Sequence, residues 1–173
     1  IPPTTVPSGS EIAIGDIVEG TLTGGSLTAS YTFQGEAGQI ITITAASEDF
    51  DSYLRLQDSS GVELITDDDS AGNLDSRIAF YTLPSTDTYT IVVESFDSAG
   101  GSYTLSLGEA EVQPIEYTQT INGELTSSQS TAGYRFTGAA GDVITITLRS
   151  SAFDAYLSLN QADGGSSYAL ITD

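Results

Sequence analysis

Tyr31-Thr-Phe-Gln-Gly-Glu-Ala-Gly-Gln-Ile-Ile-Thr-Ile-Thr44 returns as Tyr134-Arg-Phe-Thr-Gly-Ala-Ala-Gly-Asp-Val-Ile-Thr-Ile-Thr147, identical at nine of fourteen positions and displaced by 103 residues (134 − 31 = 103). At the same displacement Phe50-Asp-Ser-Tyr-Leu-Arg-Leu56 returns as Phe153-Asp-Ala-Tyr-Leu-Ser-Leu159. Three extra residues later, Leu64-Ile-Thr-Asp67 returns as Leu170-Ile-Thr-Asp173. The stretch from Asp68 to about Gly108 has no counterpart. Self-similarity at a fixed spacing marks a repeated structural unit. The chain therefore reads as a tandem repeat of one domain, with the last third missing from the second copy.

Within the quoted stretch, Tyr31 and Phe33 alternate with Thr32, and Ile41 and Ile43 with Thr42. This is the period of a strand with one buried face. Thr, Val, Ile and Tyr in alternation, broken by Gly, Asp and Ser, continue through the first copy. Strands are expected near 16–23, 29–34, 39–46, 53–58, 62–67, 76–82, 87–95 and 101–107. In the second copy they are expected near 117–125, 133–137, 142–149, 155–160 and 167–172. Turn signals at roughly ten-residue spacing point to an antiparallel sandwich or barrel. The inward face is expected to carry Tyr31, Phe33, Ile41, Ile43, Leu54, Leu56, Ile78, Phe80, Tyr89, Ile91, Val93, Tyr103, Leu105 and Leu107.

Four segments follow. Residues 1–10 hold three prolines and read as an extended arm, because proline blocks helix and interior strand alike. Residues 11–108 form the first sandwich. Residues 109–116, with Pro114, read as a semi-rigid linker. Residues 117–173 form the second, incomplete sandwich. The chain starts at Ile1 without a signal-peptide pattern, as expected of a mature, processed or excerpted chain.

Composition narrows the function. Apolar residues make up 39%, enough to build cores in units of this size. The net charge is −20, from 24 acidic residues against Arg55, Arg77, Arg135 and Arg149. Phosphate backbones and anionic membrane surfaces need basic partners, so neither nucleic acid nor a lipid surface is expected. No apolar run approaches the ~20 residues that span a bilayer. His, Cys and Lys are absent. Ser-His-Asp, Cys-His and Schiff-base chemistry are thereby excluded, as are the usual zinc sites and any disulfide framework. A carboxylate pair for glycoside hydrolysis is the common mechanism left. Among 24 acids such a pair arises by chance, so no enzyme is expected.

The ordered motifs carry a resemblance. Tyr-x-Phe-x-Gly-x-Ala-Gly, Phe-Asp-Ser-Tyr-Leu-x-Leu, Leu-Ile-Thr-Asp-Asp-Asp and Leu83-Pro-Ser-Thr-Asp-Thr-Tyr-Thr-Ile-Val-Val93, closed by Gly101-Ser-Tyr-Thr-Leu-Ser-Leu107, resemble the bacterial pre-peptidase C-terminal domain. It covers nearly all of the first copy and about two thirds of the second. The resemblance implies a jelly-roll-like β-sandwich that is secreted, often repeated and non-catalytic. Members are commonly appended to secreted peptidases, and related collagen-binding domains bind calcium. This sequence departs in having Asp87 where the family often has Gly, and in carrying no peptidase domain.

Asp67-Asp-Asp-Ser-Ala-Gly-Asn-Leu-Asp75 is the sharpest local feature. Clustered carboxylates repel one another unless a cation lies among them, and Ca²⁺ takes six to eight oxygens from such loops. Asp67, Asp69, Asn73 and Asp75 are the candidate ligands and calcium the candidate cofactor. The competing reading is a solvated acidic turn that blunts a sheet edge. Asp51 and Asp154 recur beside Tyr-Leu pairs and read as turn caps or further ligands. Glu109 and Glu111 are weaker candidates. Most of the nine Tyr are expected in the core; exposed ones would suit a polysaccharide or protein polymer.

A sandwich missing its last strands leaves open edges. The chain continues further, or a neighbouring subunit completes the fold head to tail, or the second copy is a shorter self-sufficient variant. The leading expectation is an extracellular, secreted or cell-surface protein with a structural or adhesive role in a filament assembly, stiffened by calcium. The alternative is a substrate-binding or targeting appendage of a secreted hydrolase.

Overall fold

The computed structural model describes residues 2–126, 131–160 and 169–172, and contains no helix among them. The chain divides into two compact units, the first running Ile1–Ala110 and the second beginning at Glu111.

The first unit is a sandwich of two five-stranded sheets. Its strands are β1 (Thr4–Thr5), β2 (Ser10–Glu11), β3 (Ile17–Leu22), β4 (Thr28–Gly35), β5 (Ile40–Ala46), β6 (Ser52–Gln57), β7 (Glu63–Asp67), β8 (Ser76–Thr82), β9 (Asp87–Ser95) and β10 (Gly101–Glu109). One sheet has the order β1-β3-β10-β5-β8, the other β2-β4-β9-β6-β7. Apart from β1 and β2, every pairing is antiparallel. The eight strands read from the alternation are all present.

Alternation fills the core from both sheets. Tyr31, Phe33, Leu54, Leu56, Tyr89, Ile91 and Val93 meet Val18, Ile41, Ile43, Ile78, Tyr103, Leu105 and Leu107, all buried. Fully burying one such aliphatic side chain contributes about 1.5–3 kcal/mol, so the apolar face of a strand fixes its register.

Phe80 corrects the expected pattern. It is half-buried, and Tyr81 takes the inward place. The register runs Ile43↔Ile78 and then Ile41↔Tyr81, so Ala79 and Phe80 together oppose Thr42. This β-bulge inserts one residue, puts Phe80 at φ 53 and inverts the alternation beyond it. The Phe80 amide donates to Thr42 Oγ1 at 3.3 Å.

Residues 1–10, expected as an arm outside the first sandwich, contribute to it. β1 pairs parallel with β3 and β2 with β4, so the arm edges both sheets. Part of the expected linker is also strand: β11 (Val112–Pro114) pairs parallel with β12 (Gly133–Arg135) in the second unit.

The second unit does not form the expected sandwich among the described residues. The strands expected near 117–125 and 142–149 are absent, and 133–137 shrinks to β12. Of 155–160 only β13 (Ser158–Asn160) forms. Residues 167 and 168 lie outside the described residues, and the rest of that strand is β14 (Ala169–Thr172). The reason is pairing. In the first unit β9 joins β4 to β6, and β10 joins β3 to β5. Both joining strands belong to the stretch without counterpart, so the repeats of β4, β5 and β6 lack the neighbours that satisfy their backbones.

Candidate functional site

All the turns at one end of the first sandwich are acidic or hydroxyl-rich. The connections 47–51, 68–75 and 96–100 each cross from one sheet to the other there. With residues of the arm they border an open cleft of about 1530 Å³, floored by Tyr31, Phe50 and Tyr103 and rimmed by Glu48, Asp49, Asp51, Asp75 and Asp97.

The 68–75 connection is built by its own carboxylates. Asp67 Oδ1 accepts from the amides of Ser70 at 3.1 Å and Arg77 at 2.7 Å, and Oδ2 accepts from the Ser70 hydroxyl. Gly72 and Asp75 close a tight turn, with Asn73 at φ 58 and Leu74 at φ 67. A two-residue turn of this hand demands left-handed backbone, which Asn tolerates well. Asp75 Oδ1 accepts from the Ser47 amide at 2.9 Å, tying this connection to 47–51.

The neighbouring connections are knitted the same way. The Ser47 hydroxyl donates to the Ser102 carbonyl at 2.8 Å, and Asp49 Oδ2 accepts from the Ser102 amide at 2.8 Å. Asp97 Oδ1 accepts from the Ser95 hydroxyl at 2.9 Å and the Ala99 amide at 3.0 Å. These bonds hold the Asp97 carboxyl below its ordinary range, the Ala99 amide contributing most. Asp51 differs. Its Oδ1 is buried with no hydrogen-bond partner. Burial pushes its carboxyl above the ordinary range, and the carboxylates of Asp69, Asp97 and Asp68 push the same way.

The sequence candidates therefore separate. Asp67 and Asp75 are engaged by backbone amides, and Asn73 forms the turn. Asp69 alone among the four is one of the carboxylates whose field reaches Asp51. Among the described residues no group of three or more acidic side chains stands in a metal-holding arrangement. Glu109 ends β10 at the opposite end of the sandwich, and Asp154 lies exposed in the second unit. The sequence reading missed Asp97; its signal was the Asp-Ser pair Asp97-Ser98 between two strands.

A second feature lies on the outer face of the other sheet. Tyr53 and Phe96 stand 6.0 Å apart, and the Arg55 guanidinium lies 5.3 Å from the Tyr53 ring centre. Arg55 pairs with Glu94 at 2.7 Å and Glu63 at 3.7 Å. Phe96 is 65% exposed.

Residues 27–95 match the family model described as the bacterial pre-peptidase C-terminal domain. Among solved structures, the chain is similar to the pre-peptidase C-terminal domain of a collagenase from Bacillus anthracis, at 22% identity and TM-score 0.49 over 60% of this chain and 99% of that one. It is also similar to PliG, a periplasmic inhibitor of g-type lysozyme. The Aeromonas hydrophila form matches at 16% identity and TM-score 0.40, over 59% of this chain and 99% of that one. The Salmonella Typhimurium form matches at 19% and 0.40, over 58% and 98%. No curated protein matches.

Proposed function

We propose that this chain is a non-catalytic extracellular β-sandwich protein, secreted or held at a cell surface, with a structural or adhesive role in a filament assembled head to tail. One observation carries the reading. Ile144, Ile146 and Phe153 of the second unit are exposed, while their repeats Ile41, Ile43 and Phe50 are buried in the first. Apolar surface of this kind marks an interaction site. Calcium is the second part of the proposal. Its support is the mutual repulsion of Asp51, Asp69, Asp97 and Asp68 at one end of a chain of charge −20. A cation there would relieve that repulsion.

Electron microscopy of the native protein in calcium-containing buffer tests the assembly. Regular filaments or sheets are the expected outcome; isolated particles at all concentrations would overturn it.

The outer-face group of Tyr53, Phe96 and Arg55 favours a second reading, a polymer-binding appendage of a secreted hydrolase. Aromatic faces stack on sugar rings and pack well at protein interfaces. Co-sedimentation with an insoluble polysaccharide or protein polymer, lost in Phe96→Ala, would support it over the filament. No helix among the described residues is long and apolar enough to cross a membrane.

A further inference from the structure

The first unit protects a pair of residues that the second leaves open to chemistry. Val18-Glu-Gly-Thr-Leu22 returns as Ile121-Asn-Gly-Glu-Leu125, at the displacement of 103 that relates the other repeats (121 − 18 = 103). Glu19 and Gly20 lie inside β3, with Glu19 opposite Thr5 and Thr104 and Gly20 opposite Tyr103. Asn122 and Gly123 are exposed and stand in no strand. Neither makes a hydrogen bond among the described residues. A Cβ on Gly123 would meet only the Tyr134 hydroxyl among them, at 3.5 Å.

Asparagine is a thermolabile residue, because its side-chain amide can be attacked by the backbone nitrogen that follows it. The attack needs that nitrogen to fold back onto Cγ. Glycine, without a Cβ, reaches such a backbone at least steric cost. An extended strand holds the nitrogen away from the side chain and engages its N–H in the ladder. Of the three asparagines, Asn122 alone precedes glycine. Asn73 precedes Leu74 inside the tight turn closed by the Asp75 amide on the Gly72 carbonyl at 3.0 Å. Asn160 ends β13 and precedes Gln161.

We propose that Asn122 is a self-modification site, which cyclises onto the Gly123 amide and then hydrolyses, with water as the only co-reactant. The Gly123 nitrogen gives up its proton and bonds to Asn122 Cγ. The Cγ–Nδ2 bond breaks, and ammonia leaves with that proton. Water then opens the resulting succinimide at either carbonyl. Opening on one side leaves an ordinary aspartyl linkage, and opening on the other leaves an isoaspartyl linkage. No atom changes oxidation state. Both products carry a new carboxylate at the position whose repeat is Glu19. The aspartyl product matches the charge of the first unit. The isoaspartyl product lengthens the backbone by a carbon and so breaks the alternation on which strand pairing depends. The reaction therefore marks chains in which 121–125 has stayed outside a strand.

The test is to incubate the full chain at pH 7 and pH 9, with and without urea, and follow each asparagine by peptide mass mapping. Isoaspartyl linkages are labelled with an isoaspartyl methyltransferase. We expect loss of one ammonia per chain at Asn122, with the isoaspartyl label at the same position, well ahead of any change at Asn73 or Asn160. The rate should rise from pH 7 to pH 9, because the attacking nitrogen must lose its proton. Gly123→Ala, for which the structure has room, should slow the reaction severalfold, and Asn122→Gln should abolish the label. The folded chain should react about as fast as the chain in urea. Loss at Asn122 no faster than at Asn73 and Asn160 overturns the proposal, as does a Gly123→Ala variant that reacts at the original rate. A folded chain far slower than the chain in urea also overturns it, because the pair would then be protected as Glu19 and Gly20 are.

Discussion

The hydroxyl of Tyr31 in β4 lies 2.7 Å from the hydroxyl of Tyr103 in β10, a buried hydrogen bond that joins the two sheets across the core. Tyr31 also donates toward the Val6 carbonyl at 3.4 Å, so the pair reaches the arm. Beneath Tyr103 lies Gly20, where a Cβ would sit 2.3 Å from the phenol ring. The bridge exists because β3 leaves that space empty.

Gly20→Ala should therefore destabilise the first unit by overpacking, by about 1–3 kcal/mol. Gly108→Ala, also facing a neighbouring strand position in the same sheet, meets open space and serves as the control. Urea unfolding of both variants reads the difference. Equal stabilities would show that the Tyr103 ring shifts without cost.

Alkaline pH should weaken the same bridge. Burial, with the Tyr31 hydrogen bond, pushes the Tyr103 phenol far above its ordinary value of 10.0. A raised folded pKa means that the stabilisation is complete below the unfolded value and is lost as pH climbs through and above 10. Thermal melts from pH 8 to 11 should show stability falling above 10. The double variant Tyr31→Phe with Tyr103→Phe should flatten that fall.

Ser52 should matter more than its size suggests. Its hydroxyl donates to the Ala45 carbonyl at 3.1 Å and accepts from the Ser76 amide at 2.9 Å, all buried. Ser52→Ala leaves that amide without a partner, at a cost of about 1–3 kcal/mol. Ser76→Ala removes only a hydroxyl neighbour at 2.8 Å and should cost less. Denaturant midpoints of the two variants give the order.

Asp51 should oppose folding at neutral pH. Its carboxyl is raised by burial and by Asp69, Asp97 and Asp68, so the folded chain holds the proton more tightly than the unfolded one. The associated stability is present below the ordinary value of 3.8 and is lost as pH rises past it. Asp51→Asn should raise the Tm at pH 7 and lose that advantage near pH 3.

Calcium should act on the same carboxylates. Millimolar calcium should raise the Tm by mass action, chelator should lower it, and Asp69→Ala should abolish the response. Identical melts in calcium and chelator would end the calcium proposal.

Equivalent glycines should respond unequally. A Cβ at Gly35 would lie 2.3 Å from Leu83 and 3.0 Å from the Tyr89 ring, both buried. Its repeat, Gly138, meets the exposed Tyr117 side chain at its hydroxyl at 3.0 Å, with Phe136 at 3.9 Å and Asp142 at 4.0 Å in ordinary contact. Gly35→Ala should lower the main unfolding transition, and Gly138→Ala should leave it unmoved.

The amino-acid sequence alone settled the strands of the first unit, because each carries its own evidence. Tyr31 and Phe33, or Tyr89, Ile91 and Val93, declare a buried face by alternation, and burial of that face is what fixes register. It also settled that these residues cannot build Ser-His-Asp, Cys-His or Schiff-base chemistry, since no fold can supply a missing His, Cys or Lys. The acidic character of 67–75 was equally plain, but its use was not. Whether Asp75 caps Ser47, and which carboxylates face Asp51, depend on connections that meet only when both sheets are assembled. Phe80 and Tyr81 were indistinguishable as core candidates, because the bulge that chooses between them is set by Thr42 on another strand. β1 and β2 are two residues long and exist only through their partners. The second copy makes the same point most plainly. Its sequence repeats the strands of the first, yet 142–149 forms none among the described residues, since a β-strand is held by neighbours and no joining strand stands beside it among those residues. Side-chain pattern is local and legible; backbone satisfaction belongs to the tertiary structure.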